Sequence, residues 1–284
     1  MPDFPIVDSH VHLYDVERFR YPWLDGVPKL KRTSLIADLD RERGEVAVEK
    51  VVFVEVAIDH GLHLEEAAFV QDLADADPRI GAIVAHAPIE KGKAVELDLL
   101  ALKANRNLRG VRRLVEIERD PSICLEPGFV EGVRLLAKHD LSFDLCVKHW
   151  QLVYGIELAR RCPEVSFILD HIGKPDIRNG LVEPWRGQIT ELSKLPNVVC
   201  KVSGVITEAG HAHWTKEQLK PYIAHVIEAF GFDRLTFGSD WTVSRLTHPY
   251  PAFVAILDEI LAGASHAERR KFYHDTAMRV YRLE

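Results

Sequence analysis

The sequence predicts a (β/α)8 barrel, and three observations carry that reading. Eight short apolar runs are spaced along 284 residues, separated by stretches with helical periodicity. The runs are almost continuous in Val, Ile, Leu and Phe, as parallel strands covered on both faces require. No GxGxxG or GxxxxGK[ST] segment follows the first run, which removes the usual nucleotide site of the rival, a doubly wound open sheet. Barrels of this kind reach about 250 residues as one unit, so residues 1–284 are expected to form one domain.

The first strand is expected at 6–13, IVDSHVHL, followed by strands at 50–57 (KVVFVEVA), 80–87 (IGAIVAHA) and 108–115 (LRGVRRLV). Four more are expected at 141–148 (LSFDLCVK), 165–172 (VSFILDHI), 197–205 (NVVCKVSGV) and 234–241 (RLTFGSDW). Between them, 63–78 reads as a helix with Leu64, Ala67, Ala68 and Leu73 apolar, stopped at Pro78. Segments 128–140, 150–163 and 219–231 read the same way, the last two halted by Pro163 and Gly231. Residues 266–283 close the chain as an amphipathic helix. The connection 14–49 is too long for a simple βα loop and is expected to shape the barrel mouth. No internal repeat, low-complexity segment or composition shift divides the chain.

Apolar residues make up 47% and charged residues 28%, enough for a large core. A net charge of -7 opposes a nucleic-acid footprint, which needs a basic face. No run of about 18 apolar residues offers a membrane span. The opening MPDFPIVD shows no export signal, so a cytoplasmic location is expected. Cys124, Cys146, Cys162 and Cys200 lack CxxC spacing, and the last three sit in or beside apolar stretches as reduced core residues.

Barrel chemistry sits at the C-terminal ends of the strands. Read in that register, the chain offers His10 and His12, Glu55, His86, Arg112 or Arg113, Lys148 and His149, His171, Lys201 and Ser203, and Asp240. Polar groups at all eight strand ends exceed what packing needs. His10 and His12, two residues apart, share a strand face and suit a divalent metal, with Asp240 or His171 completing the site. Asp240 is the general-base candidate; its structural alternative is a helix N-cap. His171 either ligates, polarises a carbonyl, or is a hydrogen-bonded structural residue. Arg112 and Arg113 alternate faces, so only one points inward. Glu55, Lys148 and Lys201 either bind substrate hydroxyls or pair with one another. His86 is a substrate contact or a core residue. The faces of Trp23, Trp150 and Trp241 suit a sugar or lactone ring.

The stretches VDSHVHLYD, FRYPWL, LRGVRRL, LDHIGKPDI, CKVSG and GFDRLTFGSDW together resemble the lactonase branch of the amidohydrolase superfamily, enzymes of the L-fuconolactone and L-rhamnonolactone kind. The resemblance runs from residue 7 to residue 241 and implies hydrolysis of a sugar lactone to its aldonic acid by water attack on the carbonyl. It places His10 and His12 on the strand-one HxH, His86 on the strand-three His and Arg112 on the GVR arginine. His171 falls on the strand-six His and Asp240 on the strand-eight Asp. Taken with the residue reading above, the expectation is catalysis by Asp240 and His171, an ion on His10, His12 and Asp240, and substrate contacts from Trp23, Glu55, His86, Arg112, Lys148 and Trp150. Strand five departs from the metal-rich pattern: Lys148 and His149 lie past its end, so two metals are not expected. One divalent ion, zinc by this likeness, or no ion at all are the two readings left open. The expected partner is a small sugar lactone, without nucleic acid or membrane, and self-association is left open. Two rivals stand beside this reading. A metal-dependent decarboxylase of an aromatic or unsaturated acid would want two or more inward arginines. A non-catalytic sugar-binding barrel would need no acid at position 240.

Overall fold

A computed structural model describes residues 1–284. Eight parallel strands follow in chain order around one sheet: β1 Ile6–Val11, β2 Val48–Val54, β3 Ile80–His86, β4 Leu108–Arg112, β5 Ser142–Leu145, β6 Phe167–Leu169, β7 Val198–Val202 and β8 Leu235–Phe237. Residues just past the last strand close the barrel. His12 N–H donates to the Trp241 carbonyl at 2.6 Å, and Asp240 N–H to the His10 carbonyl at 3.0 Å. The (β/α)8 architecture that the apolar runs imply is therefore the one the chain adopts.

Strand parity sorts the side chains into two cores. Val51, Phe53, Ile83, Ala85, Phe167, Leu169, Val198 and Cys200 face the helices in the larger cluster. Their alternates Val52, Val54, Ala82, Val84, Ile168 and Val199 fill the barrel, joined by Ala277, Val280, Tyr281 and Leu283 from the C-terminal segment. Two residues further along the inward face, the apolar layer gives way to a polar one. Val84 is followed by His86, Gly110 by Arg112, Ile168 by Asp170 and Val199 by Lys201. The site grows out of that second layer.

The sheet's seam depends on one carboxylate. Asp8 Oδ1 accepts the Ser239 N–H at 2.8 Å and the His10 N–H at 3.2 Å, while Oδ2 accepts the Tyr250 hydroxyl at 3.0 Å. Asp8→Ala strands these buried donors, each costing about 1–3 kcal/mol. The expected result is a melting point lowered by about 8 °C or more, readable by calorimetry.

Several expectations are corrected. The strands end earlier than their apolar runs; β6 stops at Leu169 because His171 and Ile172 turn left-handed, at φ 53° and 49°. The 14–49 connection is not all loop: it holds 3-10 turns at Pro22–Gly26 and Pro28–Leu30 and the helix α1, Ile36–Glu42. The helix expected at 63–78 is α2, His63–Ala76. Glu96–Leu102, Trp185–Leu192 and Tyr250–Ile260 are helices that the apolar periodicity does not predict; the last is apolar on most faces, so its period is faint. The closing helix runs through a π turn at Lys271–Asp275 between His266–Arg270 and Thr276–Val280, and it ends at Val280 rather than at 283. No helix is long and apolar enough to cross a membrane.

Candidate active site and metal centre

His12 Nδ1 lies 2.9 Å from the Val54 carbonyl, an acceptor only, so Nδ1 carries the proton and the Nε2 lone pair faces the barrel mouth. That lone pair looks at Asp240 Oδ1, 3.5 Å away, and His10 Nε2 is 3.8 Å from the same oxygen. All three side chains are buried. Two imidazole lone pairs and a carboxylate that converge out of water repel one another unless a cation or a proton lies among them. Their donor atoms lie within 4.8 Å of one another, and two neutral nitrogens with one carboxylate oxygen suit a divalent ion. The residues fit such an ion.

His10 Nδ1 is 3.3 Å from Asp170 Oδ1, a buried oxygen that also has the Lys201 ammonium at 3.1 Å. Placing the His10 proton on Nδ1 serves that oxygen and leaves Nε2 for the ion. Lys201 Nζ also lies 3.3 Å from Nδ1, but its protons have the Asp144 and Asp170 carboxylates as closer acceptors. Burial drives the His10 pKa well below its usual value although Asp170 opposes it, so the ring is neutral. A second trio, His10, Asp170 and His171, is close enough for an ion. Asp170 is already committed, with Arg112 Nη1 at 3.2 Å and Lys201 Nζ at 3.1 Å. Two cations on that carboxylate oppose a third, so the first trio is the better host.

Asp240 adopts φ 56°, a left-handed backbone that turns the chain across the mouth just after β8. Burial alone would raise its pKa. The imidazoles around it, His171 first and then His12 and His10, favour the ionised form and more than reverse that, and the carboxylate is held well below its usual range. His171 Nδ1 pairs with the Ser203 hydroxyl at 2.9 Å, and burial pushes its pKa down to about 4 against the pull of Asp240. Gly204, at φ 61°, lets β7 turn beneath both. A Cβ there would lie 2.8 Å from His171 Nδ1 and 3.3 Å from Asp240 Oδ2.

Beneath the trio runs an alternating chain of charge. Arg112 donates to Glu55 Oε1 and to the Glu55 carbonyl, both at 2.7 Å. Lys201 joins Asp170 to Asp144, at 2.5 Å, and Tyr281 donates its hydroxyl to Asp144 at 2.9 Å. The sequence reading missed Asp144, Asp170 and Tyr281 as members of the site. The available signal was a lone acid inside each of two apolar strands, SFDL and ILDH.

The structure brings His10, His12, His171 and Asp240 together, and it revises several other assignments. Arg112 is buried and fully engaged with Glu55, Asp170 and His10, so it does not offer substrate a free guanidinium. Glu55 answers Arg112 yet borders a cavity of about 340 Å³ with His63, His86, Arg113 and Glu118. That cavity flanks the trio on the β2–β4 side. Lys148 and the 47%-exposed Trp150 border a shallower recess with Glu116 and Arg119, apart from the trio. The Trp23 indole N–H is held by the Val56 carbonyl, and Trp241 is buried with its N–H on Glu42. Arg245 covers the Trp241 ring. Trp150 is the exposed one of the three, Trp23 is half-buried, and the Trp241 ring is closed off. Asp240 caps no α-helix; only its carbonyl accepts, from Ser244 N–H.

A barrel with this His-x-His, His and Asp set at its C-terminal mouth is the frame of an amidohydrolase. The sequence profile of the amidohydrolase family matches residues 7–283, and the chain belongs to that family of hydrolytic enzymes. Among its relatives, the L-fucono-1,5-lactonase of Burkholderia ambifaria is 34% identical over 84% of this chain and 81% of that protein. The L-fucono-1,5-lactonase of Burkholderia multivorans is 30% identical over 98% of this chain and 96% of its own. An amidohydrolase from Burkholderia multivorans, solved with bound zinc, superimposes with a TM-score of 0.89 at 29% identity, over 99% of this chain and all of that one.

Proposed function

We propose that this enzyme hydrolyses a sugar lactone of the L-fucono- or L-rhamnono-lactone kind to the open aldonic acid. The observation that carries the reading is the inward-facing trio of His10, His12 and Asp240 with His171 beside it, in a chain related end to end to L-fucono-1,5-lactonases. The trio holds one divalent ion, zinc by the bound structure of the relative, which supplies positive charge to polarise a carbonyl and acidify water. Asp240, ionised throughout the working range, accepts the proton of the attacking water. Water oxygen bonds to the lactone carbon, the ring C–O bond breaks, and Asp240 returns the proton to the departing ring oxygen. His171, neutral and with Nδ1 held by Ser203, offers its other nitrogen as an N–H donor to the oxyanion. His86 and Glu55, on the flanking cavity wall, serve the sugar hydroxyls. Arg112 and Lys148 have positioning and surface places instead. The decarboxylase reading lacks its carboxylate clamp, because Arg112 is engaged below the site and Arg113 is paired with Glu90 and Glu118.

The test is acid release from a panel of aldonolactones, followed with a pH indicator against the spontaneous rate. Turnover of an L-fucose- or L-rhamnose-type lactone is expected; no lactone opened above the spontaneous rate overturns the reading. Activity should also hold steady as pH falls from neutrality and fail only near pH 4. His171 with a lowered pKa is neutral above about 4 and becomes cationic as pH falls through that value. A kcat/KM profile with its acid limb near the ordinary imidazole range would remove His171 from the role of oxyanion donor.

A further inference from the structure

His10 Nε2 has a second neighbour besides Asp240. Arg112 Nη1 sits 3.3 Å from it, within hydrogen-bond geometry. A guanidinium only donates, and His10 bears its proton on Nδ1, so the Arg112 N–H rests on the lone pair that an ion needs. That nitrogen has one such lone pair in the ring plane.

We propose that Arg112 is a built-in competitor for the metal, occupying the ligating lone pair of His10 whenever the ion is absent and weakening the ion's hold when it is present. The proposal rests on the functional reading in which His10, His12 and Asp240 hold the ion. Two physical effects act together. The N–H must leave the lone pair before an ion can use it. The guanidinium, charged at every pH the enzyme meets, also stays close to the incoming cation. It can shift only slightly, since Nε and Nη2 are held by the Glu55 carboxylate and carbonyl at 2.7 Å each. The exchange is made easy by a second acceptor, because the same Nη1 also reaches Asp170 Oδ2 at 3.2 Å. On ion binding, Nη1 gives up His10 and keeps Asp170. On ion loss it returns, so the buried imidazole is never left unpaired. The ion site is thus tuned toward exchange, which a buried trio alone would not give.

Zinc affinity, measured by competition with a chromophoric chelator, tests this on the full-length protein. The informative variant replaces Arg112→Gln together with Glu55→Gln. It removes one positive and one negative charge, keeps an amide pair in their place, and leaves the net charge unchanged. The double variant is expected to bind zinc about tenfold tighter than the wild type or more, the scale on which groups around metal ligands act. Equal or weaker binding by a folded double variant overturns the competitor and leaves the ion reading intact. Zinc binding by neither protein overturns both. Should the double variant not fold, the wild type decides through the 15N spectra of its arginine and histidine side chains during zinc titration. The Arg112 guanidinium and His10 Nε2 signals should move together. A His10 signal that responds while Arg112 stays still refutes the exchange.

Discussion

Replacing Asp240 with Asn is expected to lower lactone turnover about a thousandfold, the scale of a lost general base, while the protein stays folded. The two halves of this expectation come from one arrangement. The carboxylate faces the Nε2 lone pairs of His10 and His12, and of the three groups it is the one that carries negative charge over the working range, ready to take a proton from water. An amide keeps the shape and loses that capacity. The backbone does not resist the change, since asparagine tolerates the left-handed φ of 56° at this position. The fold favours the ionised carboxylate, as its lowered pKa shows, so the amide should lower the melting point modestly while the protein stays folded. Rates from initial-velocity assays and a melt of the same sample check both halves. Wild-type turnover by this variant would remove Asp240 from catalysis.

The largest stability effect is expected at Lys201. It is completely buried, joined to Asp144 at 2.5 Å and to Asp170 at 3.1 Å. Desolvation works against its charge, and the two carboxylates more than restore it, so its pKa is raised and the ammonium persists. Lys201→Met leaves both carboxylates in the barrel with less than their counter-charge, and breaking such a buried arrangement costs about 3–5 kcal/mol. For a chain of this length that is a fall of about 10 °C in melting temperature. Removing an acid at the same time should recover much of the loss. Lys201→Met with Asp144→Leu is expected to melt well above the single variant, in the non-additive manner of a directly coupled pair. Strictly additive losses would show that the pair contributes through shape rather than charge.

How much of this was visible in the sequence follows from which distances matter. The barrel was, because buried parallel strands write near-continuous apolar runs and the helices between them keep their own period. The meeting of His10 and His12 was, because residues two apart on a strand share a face whatever the rest of the fold does. Asp240 and His171 needed only the rule that barrel chemistry gathers at strand C-termini. The same alternation separates Arg112 from Arg113, one buried beneath the site and the other paired at its rim. The charge chain beneath the site was not visible. Lys201 and Asp144 are 57 residues apart, and Arg112 and Asp170 are 58. Which strand-end groups touch depends on barrel tilt and stagger, which composition does not encode. Arg112 shows the consequence: its strand and face are readable, but its partners, and so its unavailability to substrate, are not. The tryptophans show the same limit: the indole nitrogens of Trp23 and Trp241 are claimed by Val56 and Glu42 from other segments, which their place in sequence does not reveal. Strand ends were overrun because the left-handed turns at His171 and Asp240 end the strands through backbone conformation, which the residue pattern does not mark.

One measurement bears on the whole arrangement. The ion content of the purified enzyme would be determined by mass spectrometry, and lactone opening followed on the same sample through chelation and zinc restoration. One ion per chain is predicted, with turnover falling as it leaves and returning with zinc, while His12→Ala loses ion and turnover together. Full lactone turnover by protein shown to contain no ion would contradict the metal centre assigned to His10, His12 and Asp240.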